Sequence, residues 1–405
     1  MLSIISIAGL LSYILAARIV MKALKGAVRE IAFAGLNVAG VYWFLFHDDV
    51  NGNRRFLLYL ILIAFQFAML RAFAEKEGAK PWLAFFTPIA ALVALRYVPG
   101  SMYVHLGHIL GMNFRGVPEI VGLSYLAFRC SRLVLEVRNG SVKIPNFWEY
   151  LHFSFFLPTM PVGPINSYGN YRRGFEATPP EDPVGRGVLR ILVGFVKYQF
   201  LGSLCNQLSY SGLLLDDHPH PWIDLPVAML FYYLFLYCNF SGFCDMAIGA
   251  AGLIGIPVPE NFQDPLYARN MREFWNRWHI TLSQYMRDVV FAPFSKFFAR
   301  LVGPGRVNLA IALTIMVVFL LIGIWHGSSW NYAFFGLLQG VGVITTHFYT
   351  IGLKKWLGRD GFKAYNANRW IRAAAVTVTF CYYAMTLFFF ANSPQEMKDI
   401  FSVMR

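Results

Sequence analysis

The sequence predicts an all-α polytopic membrane protein, with about ten to eleven transmembrane helices and further helices that enter the bilayer without crossing it. Three observations predict this. Of the 405 residues, 57% are hydrophobic and only 14% are charged, where a soluble domain carries about a quarter charged residues. Apolar runs recur along the whole chain at the length of roughly 20 residues that a bilayer core demands. The bases that give a formal net charge of +13 gather in the loops between those runs, as expected where loops face an anionic inner leaflet. A chain of this composition cannot cover a globular surface with polar side chains. An ordinary cytosolic enzyme, a disordered chain and a secreted disulfide scaffold are excluded. Membrane lipids, rather than nucleic acid, account for the positive charge. Cys130, Cys205, Cys238 and Cys381 lie in or beside apolar runs without CxxC spacing and read as small buried hydrophobes.

In chain order, spans are expected near 2–17, 31–47, 56–70, 82–95, 104–128, 190–209, 226–242, 307–326, 332–352 and 372–391. The first run does not read as a signal peptide, because its basic cluster follows the apolar stretch. Basic loops after spans one and five, and before spans eight and ten, belong on the cytoplasmic side of a cell (inner or plasma) membrane. The 211–225 loop carries Asp216, Asp217 and Asp224 without Lys or Arg and belongs outside.

Parity adds two constraints. The loops 129–145 and 169–190 are both basic, so the apolar stretch 147–165 between them cannot be one full span. Pro158, Pro161, Gly163 and Pro164 interrupt it, which predicts a re-entrant segment. The stretch 222–258 is too long for one span, yet two spans would place the basic 269–306 segment outside. One span plus a re-entrant piece is expected, with the break near Ser241, Gly242 and Gly249. Irregular backbone at membrane depth survives only beside protein or a watery cavity, so an internal cavity is expected. No repeat, low-complexity tract or Gly/Ser linker divides the chain. It reads as a single multi-pass domain over 1–405.

Three stretches could do chemistry. From 269 to 288 the pattern is helical, with Phe274, Trp278, Thr281 and Tyr285 on one face and Asn276, His279 and Ser283 on another. Trp275 lies in the same stretch, and Glu273 and Arg277 are placed for a local ion pair. An interfacial helix with snorkelling arginines explains the Arg and Trp residues. It does not explain a His and an Asn sharing a face. The second stretch is Gly323-Ile324-Trp325-His326-Gly327, where an apolar span ends in a histidine. An ionisable group at membrane depth is costly and by default marks a function. A His with an ordinary pKa of about 6.5 can act as a general base. Gly327 would leave room for a substrate. The alternative is an interfacial histidine bonded to a headgroup or carbonyl. In the third stretch, Tyr237–Asp245, Ser241 and Asp245 sit in an apolar run. A buried carboxylate needs a partner, for which the arginines of 269–287 and His279 are candidates. A structural ion pair is the favoured role. His105 with His108, and His218 with His220, lack further ligands for zinc. His47, His152 and His347 read as satisfied polar residues. No metal site is expected.

Taken together, these stretches resemble the membrane-bound O-acyltransferase (MBOAT) family. The resemblance rests on Phe274-Trp275-Asn276-Arg277-Trp278-His279-Ile280-Thr281-Leu282-Ser283 with Arg287-Asp288, and on Gly323-Ile324-Trp325-His326-Gly327. Gly163-Pro164-Ile165, Phe240-Ser241-Gly242 with Asp245-Met246-Ala247, and Glu260-Asn261-Phe262 with Pro265 complete it. The motif-bearing core covers about 117–347. The wording is nearest to the teichoic-acid D-alanylation branch, with the alginate O-acetylation branch next. Phe243 and Cys244 stand where Tyr and Ser are commoner, and Val162 precedes Gly-Pro-Ile.

The resemblance implies a funnel or tunnel lined by re-entrant helices, His326 as the catalytic histidine and His279 as a second essential one. Asn276, Trp275, Arg277, Ser283, Trp325, Ser241 and Asp245 become candidates for binding substrate. It also implies an acyl thioester donor on the cytoplasmic side, either a phosphopantetheine carrier protein or acyl-CoA, with no bound cofactor. The acceptor would be a hydroxyl of an envelope polymer such as teichoic acid or exopolysaccharide, reached directly or through an accessory acyltransferase on the outer side. Oxyanion donors could come from Asn276, Trp325 or the Gly327 amide. Rival readings are a transporter or flippase with Asp245, His279 and His326 as a proton relay, and a non-catalytic scaffold.

Overall fold

A computed structural model describes residues 4–49, 52–97, 122–177, 184–213 and 220–403. Helices occur in the order α1 (Ile4–Ala23), α2 (Gly26–Leu45), α3 (Gly52–Phe73), α4 (Lys80–Tyr97), α5 (Leu123–Arg138), α6 (Phe147–Ser154), α7 (Tyr168–Glu176) and α8 (Val184–Phe195). A π turn, Val196–Leu201, carries α8 on into Gly202–Gln207. There follow α9 (Pro221–Ile254), α10 (Met271–Arg277), α11 (Ile280–Met286), α12 (Ala292–Val302), α13 (Val307–His326), α14 (Trp330–Ala367), α15 (Arg369–Ala391) and α16 (Pro394–Val403). Among the described residues, six stretches are long and apolar enough to cross a membrane: Gly52–Phe73, Val184–Leu213, Trp222–Ile254, Val307–His326, Trp330–Ala367 and Arg369–Ala391. The all-α polytopic architecture expected from the sequence is the one observed. Most of the expected 104–128 span, with His105 and His108, lies outside the described residues, as do Asp216, Asp217 and His218.

The described chain clusters into two compact units. One comprises Met1–Val193 with Phe243–Pro259, the other Gly194–Gly242 with Glu260–Arg405. In the first unit, the 147–165 stretch is not a span. It is the eight-residue α6, a 3₁₀ turn at Leu157–Thr159 and irregular chain. Asn146 opens α6 with a capping box, its side chain accepting from the Glu149 amide while Glu149 accepts from the Asn146 amide. Arg129 of α5, 1% exposed, meets the other end. It donates to the Phe153 and Ser154 carbonyls at 3.2 and 2.9 Å and to Thr159 Oγ1 at 3.2 Å. A cation thus sits where the short helix leaves its last carbonyls unsatisfied. Asn37 of α2 accepts from the Leu157 amide at 3.0 Å and from Tyr13 Oη at 2.7 Å, which fixes the turn.

The expected break in 222–258 does not occur, because α9 runs unbroken for 34 residues. Gly242 and Gly249 are contact points, not hinges. A Cβ at Gly242 would meet the Gly194 carbonyl at 2.6 Å, and one at Gly249 the Gly187 carbonyl at 2.8 Å. Small residues here let α8 and α9 approach closely, as membrane helix pairs do. The same device joins α13 to α14, where a Cβ at Gly323 would lie 2.3 Å from the Tyr332 carbonyl. The second unit's core adds a cluster of aromatic rings. Phe274 lies 4.1 Å from Tyr383, Tyr233 4.8 Å from Tyr383, and Phe274 stacks on Trp278 at 5.5 Å.

Candidate active site

The stretch 269–288 is two short helices rather than one. α10 ends at Arg277 and α11 begins at Ile280, and between them His279 takes a left-handed conformation with φ 44°. For a residue with a Cβ this costs about 1–3 kcal/mol, so the surroundings must enforce it. They do so by pairing the broken backbone with residues 261–263. The Ile280 amide donates to the Asn261 carbonyl and the Gln263 amide to the Arg277 carbonyl, both at 3.0 Å, and Phe262 forms an antiparallel bridge with Trp278. The groups released by the helix break are thereby satisfied.

Asn261 is the organising residue, fully buried and 18 positions upstream of His279. Its Oδ1 accepts from the Thr281 amide at 3.1 Å and from Thr281 Oγ1 at 2.7 Å. An amide N–H can only donate, which identifies the atom as oxygen. The same oxygen lies 3.3 Å from His279 Nδ1, so Nδ1 carries the proton and Nε2 holds the lone pair. His279 is 4% exposed. Burial holds its pKa down to about 3, and the nearby His326 lowers it further. It is a neutral imidazole with a fixed tautomer.

His326 closes α13 and is half-buried. Its ring lies 4.8 Å from Phe390 and 6.3 Å from Phe335. Trp325 is a common neighbour of the two histidines, 4.6 Å from His326 and 6.5 Å from His279 between ring centres. Phe240 of α9 flanks His279 edge-on at 4.8 Å. The next residue, Ser241, is 3% exposed, and its hydroxyl has no hydrogen-bond partner among the described residues.

Several expected placements need correction. Asn276 and His279 do not share a face, because the left-handed turn at His279 breaks the helical register. Asn276 is exposed and accepts from Arg287 at 3.3 Å. Trp275 is 7% exposed, donates to Gln339 Oε1 at 3.2 Å and packs on Phe319. Its surroundings are those of a core residue. Arg277 pairs with Glu273 at 2.9 Å, as the i, i+4 spacing implies, and donates to the Gln263 carbonyl. Ser283 is half-buried in α11. Gly327 does not leave an opening, since a Cβ there would lie 2.3 Å from the Tyr332 ring. Its amide donates to the Ile324 carbonyl at 3.1 Å and closes the helix end instead of facing a reaction. Asp245 finds an ion-pair partner outside the candidates expected for it. Arg190 of α8 donates to its Oδ1 at 3.0 and 3.1 Å, a partner the sequence reading missed. Asn261 was quoted within a motif, and its hold on His279 was not foreseen. A lone buried amide has no periodic signature, and only the recurrence of Asn at that distance before a His could have flagged it.

Two histidines converge on one tryptophan within an apolar helical protein, one of them locked as a neutral base. An arrangement of this kind can pass a proton between an imidazole and a bound group. The class is narrowed by comparison. The family described as MBOAT, membrane-bound O-acyltransferase family, matches residues 117–386, and the chain belongs to that family. It is a multi-pass membrane acyltransferase. Similar proteins include a teichoic acid D-alanyltransferase of Streptococcus thermophilus, 29% identical over 282 residues that make up 65% of this chain and 66% of that protein. One of the same name from Bacillus subtilis is 29% identical over 68% of this chain and 69% of its own length. A peptidoglycan O-acetyltransferase of Helicobacter pylori is 29% identical over 55% of this chain and 42% of its own length. The chain thus spans about two thirds of the D-alanyltransferases it resembles and less than half of the acetyltransferase.

Proposed function

We propose that this protein moves a D-alanyl group from a cytoplasmic thioester donor to a hydroxyl of a cell-envelope polymer, with acetyl transfer as the second reading. The observation that carries the chemistry is the pair His279 and His326 around Trp325, with His279 held by Asn261 as the Nδ1–H tautomer. The D-alanyl choice is supported by the relatives so named, which align over 65% and 68% of this chain, against 55% for the acetyltransferase.

In this reading His326 takes the proton from the acceptor hydroxyl as that oxygen attacks the thioester carbonyl. The C–O bond forms, and the tetrahedral oxyanion collapses by breaking the C–S bond. The proton returns to the departing thiolate. The Trp325 indole N–H, a donor only, serves the oxyanion, since the Gly327 amide is bonded to the Ile324 carbonyl and Asn276 is an exposed residue beside Arg287. His279 orients the donor through Nε2. The donor is a phosphopantetheine carrier protein or acyl-CoA, drawn to the basic segment Arg269–Arg306. The acceptor, or an accessory acyltransferase, is engaged on the outer side of the inner (plasma) membrane. A proton-relay transporter is less well supported, because Asp245 is already ion-paired with Arg190. The test offers purified protein D-alanyl carrier protein or acetyl-CoA with an envelope acceptor. Turnover of D-alanyl carrier protein alone supports the reading, and turnover of acetyl-CoA alone replaces D-alanyl by acetyl. Equal turnover by His326→Ala removes the proposed base.

A further inference from the structure

An open cavity lies within the second unit, between α14, α15 and the start of α10. Its volume is about 750 Å³, within the range of small-molecule sites. The fold makes it in a specific way. α14 is interrupted at Gly358, where φ is 64°, and the segment beyond the kink turns its residues back onto the same cavity. Phe362, Tyr365 and Asn366 line it together with Tyr349, Thr350 and Leu353 from before the kink. Tyr349 and Tyr365 join their hydroxyls at 2.9 Å, and Lys354 Nζ lies 5.2 Å above the Phe362 ring.

The lining is chemically divided. Arg269, Arg272 and Arg372 all reach it, and no carboxylate is among its lining residues. Arg269 is neutralised by Glu273 at 2.9 Å. Arg272 donates to His347 Nδ1 at 2.8 Å, which leaves its charge uncompensated by that contact. Arg372 is exposed at the start of α15. Along α14 and α15 the walls mix apolar side chains with Thr345, Thr346, Thr379 and Tyr382. Val378 lies six residues beyond Arg372 along α15, roughly 9 Å of helix, and is 68% exposed, while Val341 of α14 is 43% exposed. Both helices are among those long and apolar enough to cross a membrane. Lys354, Lys355, Arg359, Lys363 and Arg369 surround the basic end in sequence.

A site that joins arginines without a carboxylate in the lining to exposed valines, on helices long enough to cross a membrane, suits an anionic amphiphile lying along those helices. We propose that this cavity binds one anionic phospholipid, its phosphate between Arg372 and Arg272 and the upper part of an acyl chain along Val341 and Val378. The phosphate would accept charge-assisted hydrogen bonds from the guanidinium groups, and Thr346, Thr350 and Asn366 would serve the glycerol oxygens. The kinked end of α14 would then be held against α15 by lipid as well as by the tyrosine pair.

The test is native mass spectrometry of the full chain in detergent, titrated with phosphatidylglycerol and separately with phosphatidylcholine of the same chains. The expected result is one retained phosphatidylglycerol, bound at least about tenfold more tightly than phosphatidylcholine. Arg272→Gln with Arg372→Gln should weaken that binding by about twenty-five-fold, about fivefold per arginine. Arg372→Gln alone, at an exposed position, gives the fivefold step if the double variant fails to fold. Ala375→Trp, which fills the lining, should reduce retention of the lipid without removing either charge. Equal retention of both lipids would overturn the proposal, as would phosphatidylglycerol binding that ignores both substitutions. Displacement of the lipid by coenzyme A or inorganic phosphate would overturn it in favour of a soluble anion.

Discussion

His152 and His279 make an instructive pair, one in each compact unit. Both are almost wholly buried, at 1% and 4% exposure. Burial holds both imidazoles at about 3, with Arg29 reinforcing it for His152 and His326 for His279. Each has Nδ1 engaged, by Tyr171 Oη at 2.8 Å and by Asn261 Oδ1 at 3.3 Å. Their backbones and neighbours differ. His152 lies within a capped helix and stacks on Phe175 at 4.4 Å. His279 occupies a strained left-handed turn that breaks a helix and points it at a second histidine's tryptophan. Desolvation therefore does not single out a site. What sets His279 apart is backbone strain maintained by dedicated hydrogen bonds, together with a second histidine beside the same tryptophan.

The comparison can be broken or sharpened by substitution, beginning with the largest expected effect. His279→Ala should lower acyl transfer by about 10²–10⁴-fold, whereas His152→Gln should leave transfer per folded molecule within about threefold. Comparable losses in both would erase the distinction. Trp325→Phe keeps the ring and removes the N–H, and should cost about 10²–10³ in turnover. An unchanged rate there would assign the oxyanion to another donor. Asn261→Ala should reduce turnover by about 10–100-fold, as loss of a supporting hydrogen bond to a working histidine does. Asn261→Asp, which keeps the acceptor, should recover part of it. No difference between the two would detach Asn261 from the tautomer.

The smallest effect is on stability. Both histidines are neutral when folded, with pKa values near 3, and regain an ordinary value of 6.5 when unfolded. Below pH 6.5 the unfolded chain takes up protons that the folded one does not. Stability should therefore fall as pH drops from 6.5 toward 3, and His152→Gln should flatten that slope in thermal unfolding scans. A slope unaffected by His152→Gln would mean that folding does not lower the pKa of His152.

Much of this was legible in the sequence. Run length and loop charge identified the polytopic fold, and prolines marked 147–165 as a non-spanning segment. The Trp-His-Gly and Arg-Trp-His motifs singled out both histidines. Glycines misled. In a membrane helix Gly242 and Gly249 signal close packing as readily as a break, and only the partner backbone at Gly194 and Gly187 decides between them. Periodicity likewise joined α10 to α11, because a single left-handed residue leaves the apolar spacing intact while reversing which side chains meet. The partnership of Arg190 with Asp245 spans 55 residues, a separation at which no local pattern operates.

The most direct measurement is the single-turnover rate of acyl transfer from a labelled thioester donor, comparing wild type with His326→Ala at equal concentrations of folded protein. The account predicts a fall of about 10²–10⁴-fold, with the unfolding temperature little changed. A His326→Ala variant that transfers at the wild-type rate would contradict it.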